Sequence, residues 1–228
     1  MCPSVPGKFT YADIVLDALE LQGVCKKALK GSPLGLLYYE GLSSQKSTLT
    51  GFVTLVIPLL RHLRRGLEAP SLAVEELKRS EPWEARAFLR ALSALGLSHY
   101  KKVEGFVDAD KWDAYQGNLW DLFVYLGERD HLFREIVLGY PLSKEGARYI
   151  LKKGYSEESV KELQRALLSS IIDSLVARRH GYKVALELVK AAREGFHEWY
   201  IREKKLNPGT VADIIAVSIL LALAEEGT

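Results

Sequence analysis

The sequence of 228 residues has few of the residues on which disulfide-rich proteins and zinc modules depend. Its two cysteines, Cys2 and Cys25, cannot build a disulfide framework, and neither stands in a CxxC pair or beside clustered histidines. This excludes a disulfide-stabilised fold and argues against a structural zinc site. Methionine occurs once and asparagine only at Asn118 and Asn207, alongside abundant Lys, Arg and Glu. That composition is typical of thermophilic proteins and predicts a thermostable chain.

Long apolar runs and an excess of one charge are also missing. The longest apolar stretches, 52–60 and 211–224, contain Pro58 and Asp213 and are shorter than the roughly 20 residues that span a bilayer. The formal net charge is only +2, which gives no support to the basic surface of a nucleic-acid-binding protein. Because no signal peptide is evident either, we expect a cytoplasmic protein that binds neither membranes nor nucleic acids.

The spacing of apolar residues is helical along nearly the whole chain, and 48% of the residues are hydrophobic, enough for one sizeable core. No segment shows the period-two alternation of a sheet with turn pairs between strands. We therefore predict an all-α fold, a single multi-helical domain over residues 1–228 with roughly eight to ten helices. The predicted helices cover residues 10–30, 47–65, 71–80, 82–95, 119–138, 143–152, 156–179, 183–204 and 210–224.

The first segment with candidate chemistry is Asn207-Pro208-Gly209-Thr210, a tight turn that leads into a helix with Asp213 in its first turn. A Thr followed three residues later by an acid is a common capping arrangement. The free N–H groups of a helix start also favour an anion, and Asp213 suits a magnesium-bridged phosphate or a catalytic acid. Both interpretations are open from the residues alone.

A second candidate segment begins with Asp173. This carboxylate falls within the apolar run 167–176, where a buried acid needs a partner, so it is the best physical candidate for a functional acid. His180 follows two helical turns later, and the spacing predicts that both residues share a face. With Arg178 or Arg179, His180 either binds phosphate or serves only as a terminal cation favoured by the helix dipole.

Two further segments carry clustered polar groups. Arg129, Asp130 and Glu135 lie within two turns; Asp130 pairs with Arg134 on a solvated helix surface, or Asp130 and Glu135 point inward and form a pocket. Thr48 lies in the polar segment before the most apolar predicted helix. Hydroxyl side chains there cap the helix or, with the free N–H groups, hold phosphate.

At these segments the sequence resembles the triphosphoribosyl-dephospho-CoA synthase family, in particular its archaeal branch. The resemblance is strongest over residues 119–224 and rests on Arg129-Asp130 with Glu135 and Gly139, on DSLVARRHG at 173–181 and on NPGTVAD at 207–213. It implies an all-helical transferase that joins ATP to 3′-dephospho-CoA and expels adenine. The product is a precursor of the prosthetic group of an acyl carrier protein.

The resemblance also implies roles for individual residues. The catalytic residues would be Asp173, Asp213 and His180, and the two aspartates would act as base or hold the Mg²⁺ that enters with ATP. The implied substrate-binding residues are Arg129, Asp130, Glu135, Arg179, Asn207, Gly209 and Thr48. Arg179 and His180 would meet phosphate.

The first half of the chain matches the family weakly. Where archaeal members carry two asparagines at the polar helix start, this sequence reads Ser-Thr-Leu-Thr-Gly at 47–51. An alternative function is therefore a homologue that binds a nucleotide or a partner protein without catalysis. Small-molecule nucleotides are the expected ligands of the transferase. A homodimer is open, since no exposed apolar stripe marks an interface.

Overall fold

The computed structural model describes residues 11–43, 50–95 and 108–227, which form helices and loops without a strand. The α-helices are α1 Tyr11–Leu29, α2 Leu34–Ser43, α3 Thr50–Val56, α4 Ala69–Lys78, α5 Pro82–Ala94, α6 Leu119–Gly127, α7 His131–Val137, α8 Pro141–Lys153, α9 Glu157–Ser170, α10 Ser174–His180, α11 Tyr182–Glu194, α12 His197–Lys204 and α13 Gly209–Glu226. Short 3₁₀-helices cover Ile57–Leu59, Leu63–Glu68 and Ala109–Ala114. The predicted all-α fold class is confirmed.

The predicted number of eight to ten helices is wrong, because long segments of helical periodicity contain breaks. The predicted helix over 119–138 divides into α6 and α7 at Asp130, and the one over 156–179 divides into α9 and α10 at Asp173. Both aspartates have extended backbone, and each side chain caps the helix that follows. The apolar pattern continues across both breaks, so periodicity alone does not reveal them.

Three other differences concern single segments. No helix was predicted between residues 30 and 47, yet α2 lies there. Pro58 lies in a 3₁₀-helix and divides the predicted helix over 47–65, because proline has no N–H for the helical ladder. Gly195, with a φ of 87°, separates α11 from α12 within the predicted helix over 183–204.

Helix α13 packs against α3, α8 and α9 and against the 3₁₀-helix Leu63–Glu68. Its buried residues lie on several sides, as expected for a helix that is apolar all round. They are Thr210, Val211, Ile214, Ile215, Val217, Ser218, Leu221 and Ala222. Across the described ranges no helix, α13 included, is both long and apolar enough to cross a membrane.

A cluster of aromatic rings joins α2, α5, α6 and α7. Tyr38 and Phe88 lie with ring centroids 4.9 Å apart, Phe88 and Phe123 5.2 Å, and Phe123 and Phe133 5.1 Å, mostly edge to face. Such contacts add to the free energy of burying the rings. The cluster therefore fixes the place of α7, whose first turn begins at Asp130.

Candidate active site

Three aspartates meet where α7, α10 and α13 begin. Asp130 and Asp173 are each only 1% exposed, whereas Asp213 in the first turns of α13 is partly exposed. The charges of Asp173 and Asp130 both act on the carboxyl of Asp213. We call these three residues the aspartate cluster.

Asp173 joins α10 to α13 through backbone hydrogen bonds. Its Oδ1 accepts from the N–H of Val176 at 3.0 Å, and its Oδ2 accepts from the N–H of Val211 at 2.9 Å. Burial raises the pKa of Asp173, while these N–H groups and the charge of Arg178 act in the opposite direction. The buried carboxylate of Asp173 is therefore stabilised mainly by backbone N–H groups.

Asp130 is held on both of its oxygens. Oδ1 accepts from the N–H of Leu132 at 3.0 Å and from the hydroxyl of Ser174 at 2.7 Å, and Oδ2 forms an ion pair with Arg178. The predicted pair with Arg134 is wrong, because that guanidinium donates to two backbone carbonyls near the end of α6. The interpretation in which Asp130 points inward is the one that the structure confirms.

Asp213 is the partly exposed member of the aspartate cluster. Burial raises its pKa well above the usual range, and the charges of Asp173 and Asp130 raise it further, while the N–H of Phe52 lowers it. A Cβ atom added to Gly51 would lie 1.8 Å from Oδ2 of Asp213. The first turn of α3 therefore approaches this carboxylate so closely that a side chain at position 51 would have to displace it.

Two hydroxyls that sequence reasoning did not assign to the site lie among the carboxylates. The hydroxyl oxygens of Ser174 and Thr210 are 3.0 Å apart, and Thr210 Oγ1 accepts from the N–H of Leu175 at 3.3 Å. Thr210 was interpreted as a cap of its own helix, but its side chain contacts α10 instead. The available signal was that each hydroxyl stands within one turn of a candidate acid.

The buried position of Glu135 is explained by its hydrogen bonds to the start of α8. It is 2% exposed, and its oxygens accept from the N–H groups of Ser143 at 2.7 Å and Leu142 at 3.3 Å, at the start of α8. Burial raises its pKa, and these N–H groups lower it. Arg129 is exposed in the turn before α7, beside Asp130. The substrate contacts of Glu135 and Arg129 stay predictions.

The last two basic residues of α10 do not share the burial of the aspartate cluster. Arg179 and His180 are exposed at the C-terminal end of the helix, whereas Arg178 reaches Asp130. The predicted shared face of Asp173 and His180 is not formed, because Asp173 precedes the helix and is buried. Phosphate binding by Arg179 and His180 stays a prediction.

The turn before α13 packs tightly. The N–H of Gly209 donates to the carbonyl of Asn207 at 2.8 Å, and a Cβ on Gly209 would lie 2.6 Å from Cδ2 of Leu175. Gly209 therefore permits the close approach of α10 to α13. Asn207 is partly exposed, and its predicted contact with a nucleotide stays a prediction. Thr48 lies outside the described residues.

The carboxylates of the aspartate cluster suit a hard cation such as Mg²⁺ only when substrate phosphates supply further oxygen ligands. Within the described parts of the chain, no group of three or more His, Cys, Asp or Glu side chains is arranged to hold a metal ion. Arg178 pairs with Asp130 and offsets part of its charge, whereas Asp213 is partly exposed and has the charge of Asp173 beside it. Mg²⁺ is commonly bound by one or two carboxylates together with substrate phosphates, and Asp173 and Asp213 fit that pattern.

The fold and the site define an all-helical protein with buried acids at converging helix starts. The model of the CitG family, the ATP:dephospho-CoA triphosphoribosyl transferases, matches residues 12–228, and the chain belongs to this family. The resemblance found in the sequence is thereby confirmed.

A solved structure supports the fold independently. The crystal structure of an Archaeoglobus fulgidus protein, provisionally named as a triphosphoribosyl-dephospho-CoA synthase, is similar to this chain with a TM-score of 0.78 and 24% sequence identity. The similarity covers 95% of this chain and 99% of that chain. A comparison with curated proteins finds no match.

Proposed function

We propose that this protein transfers the triphosphoribosyl group of ATP to 3′-dephospho-CoA and releases adenine. The family match over residues 12–228 carries the proposal. The aspartate cluster supports it, because Asp130, Asp173 and Asp213 come from the segments that carry the family resemblance and provide acids in a largely buried site.

The reaction sets the chemical demands on the site. The oxygen of an acceptor ribose hydroxyl bonds to the anomeric carbon of ATP, and the bond from that carbon to adenine breaks. The hydroxyl proton leaves the acceptor, and adenine departs with a proton on a ring nitrogen. The site must therefore supply a base, a donor near adenine and positive charge near the triphosphate.

Asp213 is the carboxylate best placed to meet the substrates. Both oxygens of Asp130 are taken by Leu132, Ser174 and Arg178, and both oxygens of Asp173 accept backbone N–H groups. Asp213 is partly exposed, and its raised pKa makes it a stronger base near neutral pH than an ordinary aspartate. Asp213 then either accepts the hydroxyl proton or binds the Mg²⁺ of the incoming nucleotide.

Mg²⁺, when bound, would supply positive charge to the triphosphate. Asp213 would hold it, and the cation would relieve the repulsion between the charges of Asp213 and Asp173. The remaining roles belong to residues of the protein: Arg178 holds Asp130 in an ion pair, and Asp173 fixes the start of α13, on which Asp213 stands.

The experiment that tests the function is adenine release. The purified protein is incubated with ATP, dephospho-CoA and Mg²⁺ at moderate and elevated temperature, and the bases are separated by chromatography. We expect free adenine only when dephospho-CoA is present. A folded sample that releases none, beside an active relative as positive control, contradicts the transferase. Stabilisation by ATP in that sample would then favour a homologue that binds nucleotide without catalysis.

Gly51→Ala tests whether the placement of Asp213 matters. The added methyl overlaps the Asp213 carboxylate and must displace it. We expect adenine release to fall about a hundredfold, because misplacing a reacting group by an ångström has effects of that size. Gly23→Ala in α1 is the matched control, since its Cβ meets nothing within 4 Å. Equal activity of the two variants would contradict a role for Asp213.

A further inference from the structure

Two buried hydroxyls form a directed chain of hydrogen bonds that ends on Asp130. Ser174 is 4% exposed and Thr210 is 1% exposed. Ser174 donates to Oδ1 of Asp130 at 2.7 Å, which uses its single proton, so Thr210 must donate across the 3.0 Å between the two hydroxyl oxygens. The oxygen of Thr210 accepts in turn from the N–H of Leu175. Each hydrogen bond in this series therefore has one defined donor and one defined acceptor.

The chain lies between the two helix starts that carry the candidate reactive carboxylates. Ser174 directly follows Asp173, and Thr210 precedes Asp213 by three residues, close to one turn of α13. A slide or rotation of α10 against α13 therefore changes the separation of Asp173 and Asp213. The contact between the two hydroxyls opposes such a movement.

Asp130 anchors the chain to a third helix. Arg178 lies four residues after Ser174, on the same face of α10, and both side chains bind Asp130. The hydrogen bond from Val211 to Asp173 adds a further tie between α10 and α13. Two side chains of α10 thus bind Asp130, the cap of α7, and three hydrogen bonds join α10 and its cap Asp173 to α13.

We propose that Ser174 and Thr210 are positioning residues, which hold the carboxylates of Asp173 and Asp213 at a fixed spacing without contacting substrate. The inference rests on the proposed function, in which Asp213 meets the nucleotide and Asp173 fixes the start of α13. It predicts that the hydroxyl groups, rather than the volumes of the two side chains, determine the rate of the chemical step.

Two variants of Thr210 distinguish the effect of losing the hydroxyl group from that of changing the side-chain volume. They are Thr210→Val and Thr210→Ser. Valine has the shape of threonine without the hydroxyl, and serine keeps the hydroxyl without the methyl. We expect Thr210→Val to lower kcat about tenfold or more and to change the KM for ATP less than about threefold, and Thr210→Ser to restore most of kcat. Ser218→Ala is the control, because it removes a buried hydroxyl of α13 that donates to Ile214 within the same helix.

A double variant tests whether the two hydroxyls act as one chain. Because Ser174→Ala alone already breaks it, adding Thr210→Val should lower kcat no further than the larger single effect. Two independent structural effects would instead multiply. Multiplied losses would overturn the inference, as would a Thr210→Val variant with the kcat of the parent protein.

Amide hydrogen exchange at Val211 gives a readout that needs no turnover. In the parent protein this N–H donates to buried Asp173 and should exchange slowly. We expect exchange to become about tenfold faster in Thr210→Val and to stay slow in Thr210→Ser and Ser218→Ala. Unchanged exchange in Thr210→Val overturns the inference even if kcat falls. A parent protein that releases no adenine instead contradicts the proposed function, and exchange at Val211 still decides the positioning role.

Discussion

Asp213→Asn is expected to raise the melting temperature while it lowers adenine release about a hundredfold or more. Asparagine keeps the size of the side chain and can still accept from the N–H of Phe52. It removes a charge that burial and the neighbouring Asp173 and Asp130 disfavour, as the raised pKa of Asp213 records. Because a raised pKa means that the folded state disfavours this charge, we expect a higher free energy of unfolding for Asp213→Asn.

The same substitution at Asp173 should have the opposite effect on stability. Its two oxygens accept from the N–H groups of Val176 and Val211, and an amide can satisfy only one of them. The second N–H would face an NH₂ group, and we expect Asp173→Asn to cost about 1–3 kcal/mol of unfolding free energy. Denaturant unfolding of both variants measures the contrast. Equal shifts of the same sign would contradict the assigned environments.

The gain in the free energy of unfolding that we expect for Asp213→Asn should depend on pH. Since the pKa of Asp213 in the folded protein lies above its unfolded value, the folded state binds this proton more tightly. Lowering the pH from above the folded pKa towards the unfolded pKa therefore stabilises the parent protein through this group. The advantage of Asp213→Asn should be largest at pH values above the folded pKa, should shrink as the pH falls below it, and should vanish below the unfolded pKa of an ordinary aspartate. An advantage independent of pH would point to packing instead of charge.

The Mg²⁺ dependence of Asp213→Asn separates the two roles proposed for this residue. If Asp213 binds the metal, the Mg²⁺ concentration for half-maximal adenine release should rise, because the neutral amide is a weaker ligand. If Asp213 is the general base, that concentration should stay near the parental value, while turnover at saturating Mg²⁺ falls. Residual adenine release close to that of the parent protein would contradict both roles.

Arg178→Met is expected to cost about 3–5 kcal/mol of unfolding free energy. The substitution leaves the carboxylate of Asp130 buried without its cation, and desolvation of such a charge is not repaid. Asp130→Asn should have a similar cost, because it leaves the guanidinium facing an NH₂ group. Both variants should also lower adenine release in the folded fraction, since α10 loses a tie to α7.

The pair of Asp130 and Arg178 should behave as a unit. In the double variant Asp130→Asn with Arg178→Met, no unpaired charge remains, so its cost should be well below the sum of the single costs. Lys161→Met is the matched control, because Lys161 pairs with Glu157 on an exposed face of α9, where we expect no measurable change. A loss for Arg178→Met as small as that of the control would contradict a buried pair.

The fold class and much of the fold could be predicted because helices are local structures. The predicted helix over residues 82–95 agrees with α5, and that over 210–224 agrees with α13, since apolar spacing and local end signals define both. The division of α6 from α7 and of α9 from α10 was not predicted, because in each case the capping residue is an aspartate that follows closely on apolar residues. Asp130 and Asp173 look like continuations of a helix until their extended backbone is seen.

The candidate site was predictable only in part. Asp173 and Asp213 could be selected from the sequence, one because it lies in an apolar run and one because it follows a helix start. Ser174 gives no comparable signal, because the sequence places it inside the predicted helix over 156–179. Its role depends on Asp130, which lies 44 residues earlier in the chain.

The sequence by itself determined the helical class, the family resemblance and the two acids most suited to chemistry, because these follow from composition, local spacing and motifs. Only the tertiary structure decided which groups share the site. The bond between Asp173 and Val211 spans 38 residues, and the pair of Asp130 and Arg178 spans 48. Such contacts depend on how α7, α10 and α13 pack, and the periodicity of each helix carries no information about the register between them.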